Sequence, residues 1–415
     1  MEYDINPDIT PTNWTYGGDS IIKVIGVGGG GCNAVNYMYR KNIDGCSFVV
    51  CNTDAMALST SDVPVKIQMG AGLGAGTDPV SGRNAALESQ DEIAEKVLDN
   101  GTKMLFLTAG LGGGTGTGAS PVIAKMAKDR GILTVAVVTL PFKNEGNEAQ
   151  IKAVDGIREL EKNVDSLLII NNEKLYEYYG DTLIQDAFPK ADEVLATAVQ
   201  GIIEVITKPG YINVDFQDVC RMMRNSGMAL MGSGEGTGPD RLEQAVKGAF
   251  ESPLLNDFDL KTSKNVLVNV TVGNNEHGAT MSDMQKVDEM IAEYTGNANR
   301  FKKGIVWDNN PEFGDKVKIT SIVTGFNMGE LDKVTGGIQG NIVVIDHNFI
   351  WEIGKKGEEM PLPEAVPIKI GFNNSDNVRQ VNFYSENKPC LCVEPGENRI
   401  QLESIPAIRR AHTDK

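Results

Sequence analysis

Short unbroken apolar runs, rather than strict alternation, dominate the first 190 positions of the chain. "SIIKVIGV", "CSFVVCN", "VKIQMG", "KMLFLTAG", "ILTVAVVTLPF" and "SLLIINN" are rich in β-branched residues and bounded by polar or glycine-containing segments. A strand buried on both faces reads this way, because neither face can carry polar side chains. Between several of them lie stretches with helical spacing, such as "VSGRNAALESQDEIAEKVLDN". Strands alternating with helices predict an α/β fold, a Rossmann-like, mostly parallel sheet covered on both faces. Ligands of such sheets bind beyond the carboxyl ends of the strands.

From Lys190 to Lys208 the apolar positions Ala191, Val194, Leu195, Ala198, Ile202, Val205 and Ile206 recur at helical spacing. Pro189 suits the first turn of such a helix and Pro209-Gly210 its end, so the spacing predicts one long central helix. Beyond it, "NVDFQDVCRMMRNSG", "GPDRLEQAVKGAFESP" and "SDMQKVDEMIAEYTG" read as helices, and "NVLVNVTVG", "GIVWDN" and "KVKITSIVTGF" as strands. They form a second, smaller α/β domain over 219–328. The boundaries predicted around it are an N-terminal extension (1–20), a nucleotide-binding domain (21–188), the central helix with the loop after it (189–218), a linker of uncertain order (329–402) and a tail peptide (403–415). Within that linker "GNIVVIDHNFIWEI" and "VPIKIGF" are strand-like islands among Gly, Pro, Asn and Glu clusters.

At 415 residues the chain exceeds the ~250–300 at which single cores stop growing, which favours two domains. With 41% hydrophobic and 23% charged residues it reads as a soluble globular protein. No run approaches the ~18 apolar residues of a membrane span, and the polar, acidic N-terminus lacks the marks of a signal peptide. The expectation is a cytoplasmic protein with no direct membrane insertion. A formal charge of −17 excludes broad electrostatic binding to nucleic acid, so any nucleotide is held locally. The six cysteines, Cys32, Cys46, Cys51, Cys220, Cys390 and Cys392, fit neither a disulfide framework nor a zinc site and read as reduced small hydrophobes. No metal-ligating cluster is predicted.

Chemistry concentrates in two glycine-rich turns. In "GVGGGGCN", Gly26, Gly28 and Gly31 satisfy G-x-G-x-x-G where a strand turns into a helix, so free amides at a helix N-terminus face an anion. Taken alone, this cluster serves a dinucleotide fold equally well, and Asn52 and Asp54 lie about where that fold places its ribose-binding acid. A second turn, "GLGGGTGTGAS", follows the apolar run "KMLFLTA" and leads into another helix, with Pro121 placed near its first turn. One pyrophosphate does not need two such cradles, whereas a nucleoside triphosphate can use both. There is no lysine between Gly110 and Ala124, so this is not a P-loop, and charge must be met by amides, helix dipoles and a metal ion. A third stretch, "GAGLGAGTDP", either closes over the phosphates or forms a tight turn.

"GGGTGTG" resembles the tubulin signature, and "IKVIGVGGGG", "NTDA", "GLGAG", "NVDFQD", "MGSGEGTGPDR" and "SPLL", in order over residues 20–328, resemble the FtsZ branch of the tubulin/FtsZ GTPase family. The resemblance implies GTP or GDP bound with Mg²⁺ in the N-terminal domain, and a homopolymer of subunits stacked head to tail at the bacterial mid-cell. It places Gly28, Gly29, Gly30 and Asn33 at the first phosphate loop, with Asn52 and Asp54 close by. Ala75 and Gly76 come near the γ-phosphate, and Gly112, Gly113, Gly114, Thr115, Gly116 and Thr117 along the phosphates. Glu145 and Asn172 match ribose contacts, Phe188 the residue on the guanine face, and Asp192 the acid that reads its edge. A carboxylate accepts from guanine's N1 and N2 donors, a pattern adenine lacks.

Asp215 and Asp218 stand three apart at the start of a helix, where capping and the helix dipole account for both on spacing alone. The resemblance implies a second role: with Asn213 they enter the next subunit's nucleotide site and orient the attacking water. Phosphoryl transfer rests mostly on positioning and charge stabilisation, which suits that arrangement. The terminal "IPAIRR" resembles the family's tail peptide for membrane-tethering and regulatory proteins, with Ile405, Pro406 and Ile408 as anchors and Arg409 and Arg410 as charge contacts. One departure stands out: in "EGNEAQ", Ala149 occupies a position where the family carries arginine.

Two other classes compete with this reading. A nicotinamide-dependent oxidoreductase needs an acid or base for hydride transfer, yet His277, His347 and His412 all lie far downstream of the glycine turns. A nucleotide-binding scaffold that assembles but hydrolyses poorly is compatible with Ala149, while Asp215 and Asp218 speak against it.

Overall fold

The structure is a computed structural model. It describes residues 19–326 apart from 100, 174–183, 208–209, 213, 252–259, 276–277, 297, 299 and 309, together with the strand segments 15–16, 342–346, 349–353, 359–361 and 380–382. Two compact units result, Met1–Thr335 and Gly336–Lys415.

In the first unit the chain runs β1 (Ile22–Val27), α1 (Gly28–Arg40), β2 (Ser47–Asn52), α2 (Ala55–Ser59), β3 (Val65–Gln68), α3 (Pro79–Glu88), β4 (Met104–Gly110), α4 (Thr115–Asp129), β5 (Leu133–Leu140), α5 (Asn147–Asn163) and β6 (Ser166–Asn171). It continues through α6 (Ile184–Thr207), β7 (Gly210–Ile212), α7 (Phe216–Met223), β8 (Gly227–Gly236), α8 (Arg241–Phe250), β9 (Asn265–Gly273), α9 (Met281–Thr295), β10 (Arg300–Asp308) and β11 (Val317–Phe326). Eleven strands form one sheet in the order β3-β2-β1-β4-β5-β6-β8-β11-β9-β10-β7. Its first six are parallel and follow the 3-2-1-4-5-6 order of a doubly wound fold. The two halves separated in sequence therefore share a sheet, joined where Gly227–Ala229 of β8 pair in parallel with Ser166–Leu168 of β6.

The apolar runs at the centre of the sheet are the most deeply buried: every residue of β1 and β5 is inaccessible or nearly so. Helix α1 covers the sheet with Ala34, Val35 and Met38, spaced three and four apart on one face. The central helix α6 buries Leu195, Ala198, Val199, Ile202 and Ile206 in the same core. Fully burying one such aliphatic side chain contributes about 1.5–3 kcal/mol, so this helix is held by packing more than by propensity.

Three helix limits differ from the sequence expectation. The stretch after Val80 is not one helix. Helix α3 ends at Glu88, and after a short turn over Gln90–Ile93 the chain widens into a π-type turn over Ala94–Leu98. There the amide of Asp99 reaches back to Ala94 while the buried ammonium of Lys23 takes the carbonyl of Lys96 at 2.9 Å. Pro121 lies inside α4 rather than in its first turn, because that helix already begins at Thr115; its missing N–H leaves the Thr117 carbonyl without the usual donor. Helix α6 starts at Ile184, five residues before Pro189, so that proline is likewise internal.

The second unit contains a four-stranded antiparallel sheet in which β12 (Ile342–Asp346) and β13 (Phe349–Ile353) form a hairpin flanked by β14 (Glu359–Pro361) and β15 (Gln380–Asn382). The strand-like "GNIVVIDHNFIWEI" supplies that hairpin. Residues 1–14, "VPIKIGF" and the tail with Ile405, Pro406, Ile408, Arg409 and Arg410 lie outside the described residues.

Candidate functional site

The strand order reverses between β1 and β4, and both glycine turns leave the sheet at that point, one after each strand. Such a switch point opens a crevice at the carboxyl ends of the strands. The two turns pack main chain on main chain. A Cβ on Gly28 would stand 2.8 Å from the Gly116 nitrogen, one on Gly30 would meet Gly110 Cα at 3.2 Å, and one on Gly116 would strike the Gly110 carbonyl. Gly114 is closed in by Ala75 Cβ at 2.8 Å and by the Asp78 backbone at 2.9 Å. Gly29 and Gly113, by contrast, have nothing within 4 Å in the direction a side chain would take. The glycines thus divide into two roles. Some let the loops touch, and Gly29 and Gly113 present bare backbone to open space.

Polar contacts tie further segments to this crevice. The side-chain oxygens of Thr53 and Thr115 are 2.6 Å apart, joining the turn after β2 to the start of α4. Thr117 Oγ1 accepts the Gly112 amide at 2.9 Å, which fixes Gly112 at φ +103°, a conformation glycine adopts without strain. Asn52 is buried and accepts the amide of Asp54, while Asp54 caps α2 by accepting from Met56 and Ala57. Loop 70–78 borders the same crevice through Ala75, with Gly76 open to space. It is anchored by Lys152 of α5, whose ammonium donates to the Thr77 carbonyl at 2.9 Å. Lys152 also pairs with Glu148 at 2.6 Å, and the Asp78 carboxyl is held below its usual range first by the Ser81 hydroxyl, then by the Val80 and Ser81 amides, with the Lys152 charge a smaller aid.

The sequence-predicted contacts for the base and sugar are placed as follows. Asn172 follows β6, and its Oδ1 is buried without a hydrogen-bond partner among the described residues. Asp192, on α6, is half-buried, and burial raises its carboxyl from 3.8 to about 6. Glu145 is exposed and accepts the Phe142 amide at 2.8 Å, closing its own turn. Ala149 is half-buried, with its carbonyl 3.1 Å from where a Gly112 side chain would begin. Asn33 is exposed on the first turns of α1. The Phe188 side chain and Asn213 lie outside the described residues, as do His277 and His347.

Asp215 and Asp218 stand at the start of α7. Asp215 caps that helix by accepting the Asp218 amide at 2.7 Å, so the capping role read from spacing is present. Asp218 Oδ2 receives the Lys302 ammonium of β10 at 2.9 Å. Sequence reasoning missed the partners Lys302, Lys152 and Thr53. All three bonds join positions more than 60 residues apart, and no local spacing signals them.

Among the described residues no group of three His, Cys, Asp or Glu side chains could hold a metal ion. Cys32, Cys46, Cys51 and Cys220 are free thiols. Burial pushes Cys32 and Cys46 up to about 12 and raises Cys51 well above its ordinary value, so none of these three is a thiolate near neutrality. No helix of the described residues is long and apolar enough to cross a membrane.

A doubly wound sheet with paired glycine-rich turns at its switch point, extended by a mixed sheet beyond a long central helix, defines the GTPase fold of the tubulin/FtsZ family. The sequence model of that family's GTPase domain matches residues 21–180, and that of the FtsZ C-terminal domain matches residues 227–327. The chain belongs to the FtsZ family. It is 45% identical over 315 residues to the cell division protein FtsZ of Porphyromonas gingivalis, covering 74% of this chain and 67% of the relative. Identity to the Pseudomonas putida protein of the same name is 46% over 310 residues, 74% and 76% of the two chains. Among solved structures, an empty FtsZ dimer of M. jannaschii aligns with a TM-score of 0.67 at 38% identity, covering 77% of this chain and 89% of that one. CetZ1 of Haloferax volcanii, at 19% identity and a TM-score of 0.65 over 76% and 98% of the chains, shares the fold. As a member of this family the chain is a self-assembling GTPase of bacterial cell division, and the oxidoreductase reading falls.

Proposed function

We propose that GTP lies across the β1/β4 crevice with its phosphates over Gly28–Gly30 and Gly112–Thr117. The amides at the N-termini of α1 and α4 supply the positive end of two helix dipoles there. The observation that carries this reading is the pairing of two bare loops, with Gly29 and Gly113 open to space. Ala75 and Gly76 lie on the γ-phosphate side, and the orphaned Asn172 Oδ1 accepts a ribose hydroxyl. Glu145 contributes from the edge, and Phe188 and Asp192 take the guanine. Mg²⁺ fits this donor set as an ion carried mainly by phosphate oxygens and waters, which is its usual habit, since the described residues offer no carboxylate cage.

Hydrolysis needs a group that orients water. Asp215 and Asp218, with Asn213, supply it to the nucleotide of the next subunit, so the reaction proceeds only in a head-to-tail filament. The carboxylates position the water and receive developing positive charge, while the glycine-loop amides bind the phosphate oxygens. In the cell the filament forms the division ring at mid-cell in the cytoplasm. The tail residues Ile405, Pro406, Ile408, Arg409 and Arg410 dock membrane-tethering and regulatory proteins. Phosphate release from Mg²⁺-GTP, measured against protein concentration with ATP as control, tests the mechanism. Specific activity that climbs steeply with concentration, and silence with ATP, is the expected result. A flat nonzero activity means that one chain holds a complete site.

A further inference from the structure

Strand β10 holds the acid-bearing helix α7 near both ends. Lys302 donates to Asp218 Oδ2 at 2.9 Å in the first turn, and Arg300, two residues earlier on the same strand, donates to the Arg221 carbonyl at 3.3 Å in the last. Residues two apart on a strand point to one face, so both cations reach α7 from one side. Lys302 is itself fixed by the sheet, where it sits opposite Leu267 of β9. The Asp218 side chain is 21% exposed and that of Lys302 47%. This carboxylate is therefore held at one oxygen, while the adjacent backbone is held by Asp215.

Resting on the role proposed above for Asp218, we propose that Lys302 is a positioning residue for GTP hydrolysis. By occupying Oδ2 it selects one orientation about the broad terminal torsion of the aspartate and leaves Oδ1 as the acceptor for water. It also offsets one of two negative charges that this loop carries toward a neighbouring triphosphate. Like charges in that approach cost association energy, and a chain of net charge −17 has few cations to spare.

The test compares Lys302→Met and Lys302→Arg in the full chain, reading phosphate release against protein concentration. The threshold reports assembly and the slope above it reports turnover per interface. Lys302→Met is expected to bind GTP normally below the threshold, to lose about three- to tenfold in slope from a loosened carboxylate, and to raise the threshold about two- to fivefold at low salt, less at high salt. Lys302→Arg restores most of both. In an Asp218→Asn background, where polymer sedimentation reads the threshold, Lys302→Met still raises it at low salt, because Asp215 is left without an offsetting cation. A wild-type slope in Lys302→Met, or a threshold that does not move at low salt, overturns the proposal. Should the Met variant fold poorly, Lys302→Gln reads the same slope. Normal turnover by Asp218→Asn overturns the catalytic reading itself, whereas an inactive Asp218→Asn beside a fully active Lys302→Met overturns only the role of the lysine.

Discussion

Thr53 and Thr115 share a hydrogen bond of 2.6 Å that crosses from the turn after β2 to the first residue of α4. It ties the segment containing Asp54 to the second glycine turn. Replacing Thr115 by Val removes the bond while keeping the shape. A net loss of about 0.5–1.5 kcal/mol corresponds to a two- to tenfold weaker GTP affinity. Thr115→Ser retains the hydroxyl and is expected to bind like the parent. Equilibrium titration with a fluorescent GTP analogue reads the difference.

Lys152 anchors loop 70–78 through the carbonyl of Thr77, a non-glycine residue held at φ +61°. Lys152→Met frees that loop, and GTP affinity is expected to fall about threefold to tenfold, less than the tenfold or more of a charge-assisted bond made to the nucleotide itself. Proteolysis within 70–78 should accelerate in the variant and slow again when GTP is added. Unchanged affinity and unchanged cleavage would show that the anchor has no bearing on the nucleotide.

Ala149 lies beside Gly112 on the helix that carries Lys152. An arginine at this position would stand beside the Gly112–Thr117 turn proposed to hold the phosphates. Ala149→Arg is expected to tighten GTP binding about tenfold or more, the value of one charge-assisted contact, with a smaller effect on GDP. Parallel GTP and GDP dissociation constants for the parent and variant test this.

Asp192 titrates inside the working range, since burial raises it from 3.8 to about 6. Only the ionised form accepts both guanine donors, so GTP affinity should decline as pH falls through 6. Stability without nucleotide moves the other way. Between pH about 4 and 6 the folded chain keeps a proton that the unfolded chain has released, so this group favours folding at low pH and loses that effect as pH rises. Asp192→Asn should bind GTP weakly and with no step near pH 6. Isotherms at pH 5, 6 and 7 decide the matter.

Asp218→Ala is expected to bind GTP as the parent does, to lose hydrolysis and to stabilise filaments. Nucleotide binding, phosphate release and sedimentation of polymer on one preparation give the three readings. Normal hydrolysis would place the catalytic group elsewhere.

What could be read from sequence follows from how far each signal extends along the chain. The strands β1, β4, β5 and β6 are buried on both faces over nearly all their length and announce themselves as unbroken apolar runs, so the parallel sheet was legible. Glycine turns were legible too, because they need a residue type and a place after a strand. Their division of labour was not: Gly28 and Gly116 are bare because of each other, 88 positions apart by number, and that is a property of the folded backbone. Pro121 and Pro189 misled the expected helix starts, because prolines mark first turns only on average and packing tolerated them inside α4 and α6. The π-type turn over Ala94–Leu98 contains the Lys96 carbonyl that the buried Lys23 engages, a long-range bond invisible to local periodicity.

A binding crevice walled by main chain responds to mutation differently from one lined by side chains. At Gly28, Gly114 and Gly116 any added atom meets a neighbouring backbone, so there is no rotamer to adjust and no neighbour to trim in compensation. Resistance to a competitor that drew its affinity from those amides would therefore be confined to Gly29 and Gly113, where an added side chain meets nothing within 4 Å, since changes at the other three bring neighbouring segments into collision.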